Sequence, residues 1–167
     1  MCLSAPVSSL RRDAPTARLG SASCFKANYR ATSTIPMTKV MLFGTFDILH
    51  PGHEYLLKNA RKYGDYLTAV VARDKTVLEV KKRSPINSEK IRVVNLKKIK
   101  LADEVILGRV GDKYKIIEKE RPNVIVLGYD QKNFVDELKT YFPKIKIIRL
   151  KSFKPHLYKS SLFRKHI

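Results

Sequence analysis

The chain has 167 residues, 29% of them charged and 44% hydrophobic, which is enough apolar material for one folded domain. Lys and Arg outnumber Asp and Glu by 34 to 15, a net charge of +19, so the chain has either an anionic partner or a solvated lysine-rich surface. No apolar run approaches the roughly 18 residues needed to span a membrane, the only cysteines are Cys2 and Cys24, which argues against a disulfide framework or a zinc site, and the lack of tryptophan and of a basic-aromatic stripe makes nucleic acid an improbable partner.

Residues 1–36 differ in composition from the rest. They hold Arg11, Arg12, Arg18, Lys26 and Arg30 against a single acid, Asp13, and are rich in Ser, Ala and Thr. Such a segment resembles an organellar transit peptide, which predicts a mitochondrial or plastid location. A disordered tail, or an upstream start codon, is the other reading, with Met37 as the start of a cytoplasmic protein. Residues 37–167 keep 29 basic and 14 acidic side chains, so the basicity belongs mainly to the part that folds.

Lys39 to Gly44 is nearly continuous in apolar residues and predicts a strand covered on both faces. A glycine-bearing turn follows, and Pro51 suits the start of the next helix, where a missing N–H costs nothing. Gly64-Asp65 ends that helix, and Tyr66 to Ala72 is the second strand. Asp74 is placed to cap a short helix that reaches Lys81-Lys82-Arg83. Pro85-Ile86-Asn87-Ser88 breaks the chain, and Ser88 is placed to cap a helix over Glu89–Lys100 with Ile91, Val94, Leu96 and Ile99 inward. Val105 to Leu107 reads as a strand, Asp112 to Arg121 as a helix with Tyr114, Ile116 and Ile117 inward, and Val124 to Leu127 as a strand ending at Gly128-Tyr129-Asp130. Phe134 to Phe142 reads as a helix, Ile145 to Leu150 as the last strand, and a final helix begins near Ser160-Ser161. Strands alternate with helices five times, which predicts a single α/β domain, Rossmann-like and doubly wound around a parallel five-stranded sheet.

In such sheets ligands bind beyond the carboxyl ends of the strands. The turn after the first strand, Gly128-Tyr129-Asp130 and the loop after Leu150 all fall there. The turn also holds His50 and His53, two of the four histidines in the chain. A helix start presents free N–H groups and a positive dipole end, which suits phosphate, and two imidazoles add donors that can carry charge near neutral pH.

Gly44-Thr45-Phe46-Asp47-x-x-His50-x-Gly52-His53 resembles the shared motif of the cytidylyltransferase-like nucleotidyltransferase superfamily. Glu89-x-x-Arg92, Ala102-Asp103-Glu104-Val105-Ile106 and Ser160-Ser161-Leu162-Phe163-Arg164 are similar to its later motifs, so the resemblance runs over roughly residues 39–166. Two branches compete: glycerol-3-phosphate cytidylyltransferase, acting on CTP and glycerol 3-phosphate, and the archaeal-type FAD synthase, acting on ATP and FMN. Val70 to Val77, Leu127-Gly128-Tyr129-Asp130-Gln131 and Tyr158-Lys159-Ser160-Ser161 look more like the second. The chain lacks the cysteines that branch carries near its C-terminus. A non-catalytic nucleotide-binding or RNA-binding domain is the reading from another class.

The resemblance implies attack of an acceptor phosphate on the α-phosphorus of a nucleoside triphosphate, with Mg²⁺ accompanying the triphosphate and no dedicated protein cage for the metal. His50, His53 and Arg92 are the expected catalytic donors. Of the nucleotide-binding residues, Gly44 and Gly52 would allow close backbone approach, Thr45 and Phe46 would line the phosphate and base side of the pocket, and Pro51 would open the helix. Gly128 and Asp130 would sit near the base or ribose, with Gln131 only a helix-start residue, and Tyr158 would stack on a ring. Ser160 and Ser161 would open a phosphate-binding helix. Lys81, Lys82 and Arg164 are candidate phosphate-lid cations. For Asp47 two roles stay open, holding the turn through backbone N–H groups or positioning metal or acceptor. A homodimer is the commonest oligomer for such a protein.

Overall fold

Every residue from Val40 to Leu42 and from Leu67 to Val71 is buried. Strands with no exposed face need cover above and below, and helices returning between parallel strands provide it. A computed structural model of the protein describes residues 37–112, 114–131, 135–154 and 156–158. In chain order the elements are β1 (Lys39–Gly44), α1 (Pro51–Arg61), β2 (Tyr66–Val71), α2 (Asp74–Lys81), α3 (Glu89–Lys98), β3 (Glu104–Leu107), α4 (Tyr114–Glu120), β4 (Val124–Leu127), α5 (Val135–Tyr141) and β5 (Lys146–Arg149).

The five strands form one parallel sheet in the order β3-β2-β1-β4-β5, with Leu42 beside both Ala69 and Val126. The chain lays β1, β2 and β3 outward to one edge, then returns to place β4 and β5 on the other side of β1. The order therefore reverses between β1 and β4, and the crevice at such a switch point is where this architecture binds ligands. The expected doubly wound α/β sheet is the one found.

Successive strand residues point to opposite faces, and the core divides accordingly. Val40, Leu42, Ala69, Val105 and Val126 pack with Leu57 and Ala60 of α1 and Leu96 of α3. Met41, Val70, Ile125 and Leu127 pack with Ile116 and Ile117 of α4 and Leu138 of α5. At the amino-terminal edge of the sheet, side chains tie the strand starts together. Asn123 accepts from the Lys39 N–H at 2.8 Å, Asp65 from the Thr38 N–H at 3.0 Å and Asp103 from the Leu67 N–H at 2.7 Å. Among the described residues, no helix is long and apolar enough to cross a membrane.

The inward face of α3 differs from expectation. Ile91 and Val94 are 49% and 51% exposed, while Arg92 and Leu96 are buried. A stripe set by apolar residues alone puts Ile91 and Val94 inside; the structure turns the helix so that a cation takes the central inward position. This is stable only because every part of that cation is bonded, as described below. Ala72 and Leu150 fall just outside β2 and β5, yet each continues the ladder, its N–H donating to the carbonyls of Gly44 at 2.9 Å and Leu127 at 3.0 Å.

Candidate active site

The turn after β1 is shaped by one aromatic ring. Phe46 has a left-handed backbone (φ 51°) and is 1% exposed, with its ring packed in the core beneath the turn. A β-carbon on Gly44 would lie 2.6 Å from two atoms of that ring, so only glycine lets the ring fold back. The strained backbone of Phe46 costs about 1 kcal/mol, less than the roughly 1.5–3 kcal/mol gained by burying the ring. Phe46 thus borders the cleft described below as an anchor.

Asp47 settles which of its two open roles its carboxylate takes. It accepts from the N–H of Ile86 at 2.9 Å and of Asn87 at 2.8 Å, while the Asn87 amide donates to the Asp47 carbonyl at 2.8 Å. The backbone it holds belongs to the loop before α3, which is clipped onto the turn.

His50 caps α1. Its backbone is extended, Pro51 opens the helix, and its Nδ1 accepts from the Gly52 N–H at 3.1 Å. An accepting Nδ1 leaves the ring proton of the neutral imidazole on Nε2. A β-carbon on Gly52 would come within 2.9 Å of the His50 ring and 3.5 Å of the Tyr158 β-carbon, so the glycine lets both approach. The His50 and His53 rings lie 3.9 Å apart between centroids, and Phe46 lies 5.3 Å from His53.

Burial lowers the pKa of His50. Burial, then the positive neighbours His50 and Lys81, hold His53 down to about 3. Both imidazoles are therefore neutral at pH 7, where the sequence suggested groups poised to carry charge. They remain donors through N–H. The buried Nδ1 of His53 has no hydrogen-bond partner among the described residues.

Arg92 lies beneath the turn rather than in the cleft. It was expected to meet a phosphate, but it is fully buried and does not line the cleft. Its Nε donates to the Asn87 carbonyl at 3.1 Å, one terminal nitrogen to the Thr45 carbonyl, and the other to the Ala72 carbonyl at 2.8 Å and the Asp74 carboxylate at 2.6 Å. One guanidinium joins the end of β1, the end of β2 and the loop before α3. Glu89, one turn before Arg92, pairs instead with Arg73 at 3.0 Å. Ser88 occupies the cap position of α3 without a side-chain bond. The capping comes from across the helix pair: the Asp74 N–H donates to Glu89 at 3.0 Å, and the Glu89 N–H donates to Asp74 at 3.2 Å.

A cleft of about 580 Å³ opens over the carboxyl ends of the strands, a volume suited to small-molecule ligands. Gly44, Thr45, His50, Gly52, His53, Gly128, Asp130 and Tyr158 all line it. Lys81 lines it as well, whereas Lys82 ends α2 in a left-handed conformation and lies outside the lining. Pro51 contributes by opening α1 and is not itself in the lining. Ser160, Ser161 and Arg164 lie outside the described residues.

Three contributors were not anticipated in these roles. Gln131 donates to the Phe43 carbonyl at 2.8 Å and accepts from the Gly128 N–H at 3.3 Å, which fastens the end of β4 to the end of β1. Tyr55 and Phe153 stack at 4.7 Å, and Phe153 and Tyr158 at 5.7 Å, so Tyr158 extends a protein stack that runs from α1 to the segment after β5. The spacing of Tyr55, Phe153 and Tyr158 along the chain carries no signal for this; only tertiary proximity does.

The two imidazoles thus sit at a helix start, within a cleft at the switch point of a doubly wound sheet. Residues 41–166 match the cytidylyltransferase-like family, and the chain belongs to it. It is 47% identical over 121 residues to a FAD synthase of Aciduliprofundum boonei, covering 70% of this chain and 80% of the relative. It is 42% identical over 135 residues to a FAD synthase of Thermoplasma volcanium, covering 78% of this chain and 94% of the relative. A solved structure described as a lipopolysaccharide core biosynthesis protein from Thermoplasma volcanium superposes with a TM-score of 0.67 at 40% identity, covering 71% of this chain and 99% of that one. A pantoate-beta-alanine ligase from Francisella tularensis shares the fold alone, with a TM-score of 0.56 at 17% identity, covering 77% of this chain and 65% of the ligase.

Proposed function

We propose that the chain is an FMN adenylyltransferase, which transfers AMP from ATP to FMN and releases pyrophosphate. The observation that carries the reading is the close His50–His53 pair at the start of α1, both rings lining the cleft. The similarity to proteins named FAD synthase, at 47% and 42% identity, supports FMN as the acceptor.

An oxygen of the FMN phosphate attacks the α-phosphorus of ATP. The bond from that phosphorus to the oxygen bridging to the β-phosphorus breaks, and pyrophosphate leaves with the electron pair. The nucleophile is already ionised, so the protein need not remove a proton. Its tasks are to align two anions and to stabilise charge on the transferring phosphoryl group. The Nε2–H of His50, set by the Gly52 N–H, is the donor for that purpose, with the His53 ring 3.9 Å away. Lys81 supplies positive charge at the same cleft.

Mg²⁺ belongs to this reading as the companion of the triphosphate and supplies charge neutralisation on its oxygens. Among the described residues no three His, Cys, Asp or Glu side chains gather as a metal site. Of the two acids lining the cleft, Asp47 already binds backbone N–H groups. The fit is therefore to an ion held by phosphate and water, with Asp130 the carboxylate nearest to hand in the cleft.

Incubating the full chain with Mg-ATP and FMN is expected to give equal amounts of FAD and pyrophosphate. Turnover of CTP with glycerol 3-phosphate, and none with FMN, would overturn the acceptor. Salt-sensitive RNA binding with no turnover of any nucleotide would overturn the enzyme class. Residues 1–36 are read as an extension outside the catalytic domain, on the strength of their arginine-rich, acid-poor composition. A fluorescent fusion of that segment that reaches mitochondria or plastids supports targeting, and one that stays in the cytosol rejects it.

A further inference from the structure

Three of the four strand pairs finish in the same way at the carboxyl edge of the sheet. The residue just past the pairing donates its N–H across to the neighbouring strand: Ala72 to the Gly44 carbonyl at 2.9 Å, Gly108 to the Val71 carbonyl at 2.8 Å and Leu150 to the Leu127 carbonyl at 3.0 Å. Each acceptor faces the residue just before its donor, Gly44 facing Val71, Val71 facing Leu107 and Leu127 facing Arg149. The bonds of a parallel pair are evenly spaced, so the register fixes where the closing bond falls.

The fourth pair, β1 with β4, departs from this. Its pairing ends at Leu42 and Val126, although β1 runs on to Gly44 and β4 to Leu127. Continued in register, Phe43 would face Leu127, and the closing bond would run from the Gly128 N–H to the Phe43 carbonyl. That bond is divided in two. The Gly128 N–H donates to Oε1 of Gln131 at 3.3 Å, and Nε2 of Gln131 donates to the Phe43 carbonyl at 2.8 Å. A side-chain amide carries the same donor and acceptor as a peptide group. One amide thus stands between β1 and β4 where a direct bond closes the other pairs. It satisfies both strand ends and keeps them an amide's width apart.

Gln131 is held in that place from the side of β4 and β5. Its N–H donates to the Gly128 carbonyl at 3.2 Å, and its carbonyl accepts from Nη2 of Arg149 at 3.3 Å. Gln131 lines the cleft, and it parts β1 from β4 where the strand order reverses.

We propose that Gln131 is a positioning residue that acts as a spacer: its amide, inserted between the Phe43 carbonyl and the Gly128 N–H, sets the width of the switch-point crevice that the nucleoside triphosphate enters. The role rests on the reading of the chain as an adenylyltransferase, and it goes beyond fastening two strands. A tie is needed for stability. A spacer separates two groups that are complementary to each other, so its removal lets them meet and costs the fold little, while the crevice narrows.

Gln131→Ala in the full chain separates the two roles. Its crystal structure is expected to show the Gly128 N–H donating directly to the Phe43 carbonyl, at about 2.9 Å. The melting temperature should stay within about 2 °C of wild type, because the bond lost is replaced. Binding of Mg²⁺ with α,β-methylene-ATP, measured by calorimetry without acceptor, should weaken by about tenfold or more. In turnover with FMN the same loss should raise KM for ATP and leave kcat within about threefold. Strand ends that stay apart would overturn the spacer: with a melting temperature lower by about 5 °C or more and unchanged nucleotide affinity, Gln131 is a tie, and with weakened affinity it is a direct ligand of the nucleotide. Strand ends that close without loss of affinity, a fall in kcat alone, or a variant that does not fold would overturn it as well. A wild-type chain that binds the ATP analogue but makes no FAD would reject FMN as acceptor and leave the spacer standing on the binding data. A wild-type chain that binds no nucleotide would remove both.

Discussion

His53 and Arg92 are both held against the turn that follows β1, and they differ in what their polar atoms are left to do. All the donor nitrogens of Arg92 are engaged, to three backbone carbonyls and the Asp74 carboxylate, in a fully buried position. His53 lines the cleft with a buried Nδ1 that has no partner among the described residues, and burial keeps its ring neutral. A donor that serves a ligand keeps hydrogen-bonding capacity that the folded chain does not use. A buried cation whose nitrogens are all engaged organises the backbone around it. The turn is thus presented by one residue and held by the other.

His53→Ala should break the presenting side with the largest effect. Removing one preorganised donor lowers kcat by about a hundredfold to a thousandfold, while the melting temperature changes little. Wild-type turnover in this variant would show that the pair does not act on the phosphates. Arg92→Met acts on the holding side. It leaves three carbonyls and Asp74 without their donor, and should cost about 2–4 kcal/mol of stability, toward the lower end because Asp74 is partly exposed. Urea unfolding measures this; a variant that unfolds like wild type but loses turnover as His53→Ala does would exchange the two roles.

Asp47→Asn is a milder cut at the same holding apparatus. It weakens the clip on the N–H groups of Ile86 and Asn87 and should lower stability by roughly 1 kcal/mol. Limited proteolysis between Arg83 and Ser88 should quicken before global unfolding, and an unchanged cleavage rate would show that the loop is held by something else.

The smallest effect is in the pH dependence. The folded pKa of His53 is about 3 against an ordinary 6.5, so between those values the unfolded chain binds a proton that the folded chain refuses. Stability should therefore fall as pH drops from about 6.5 toward 3, and be unaffected by this group above that range. His53→Gln should flatten that acid limb. An equal slope in both proteins would assign the limb to other groups.

Much of the scaffold was legible because its signals are local. Near-continuous apolar runs marked the buried parallel strands, Pro51 marked the start of α1, and the pair His50 and His53 around Gly52 marked the phosphate turn. Arg92 was legible as a motif residue but not in its role. A charged residue on an apolar helix face reads as outward or ligand-facing until the carbonyls of Thr45, Ala72 and Asn87 are seen to converge on it. The same blindness turned α3 the wrong way, with Ile91 and Val94 expected inside. The crossed caps of Asp74 and Glu89, the bridge from Gln131 to Phe43 and the stack of Tyr55 on Phe153 join residues 15 to 98 positions apart, a separation that no local pattern reports.

By itself, the sequence determined the element order, the parallel sheet and the His turn at its centre, because burial periodicity and helix-start chemistry act over a few neighbouring residues. The tertiary structure alone decided that the imidazoles are neutral, that Arg92 is buried behind the turn, and that Gln131 ties the end of β4 to the end of β1. Those outcomes depend on desolvation and on which distant groups converge, and both exist only once the chain has folded.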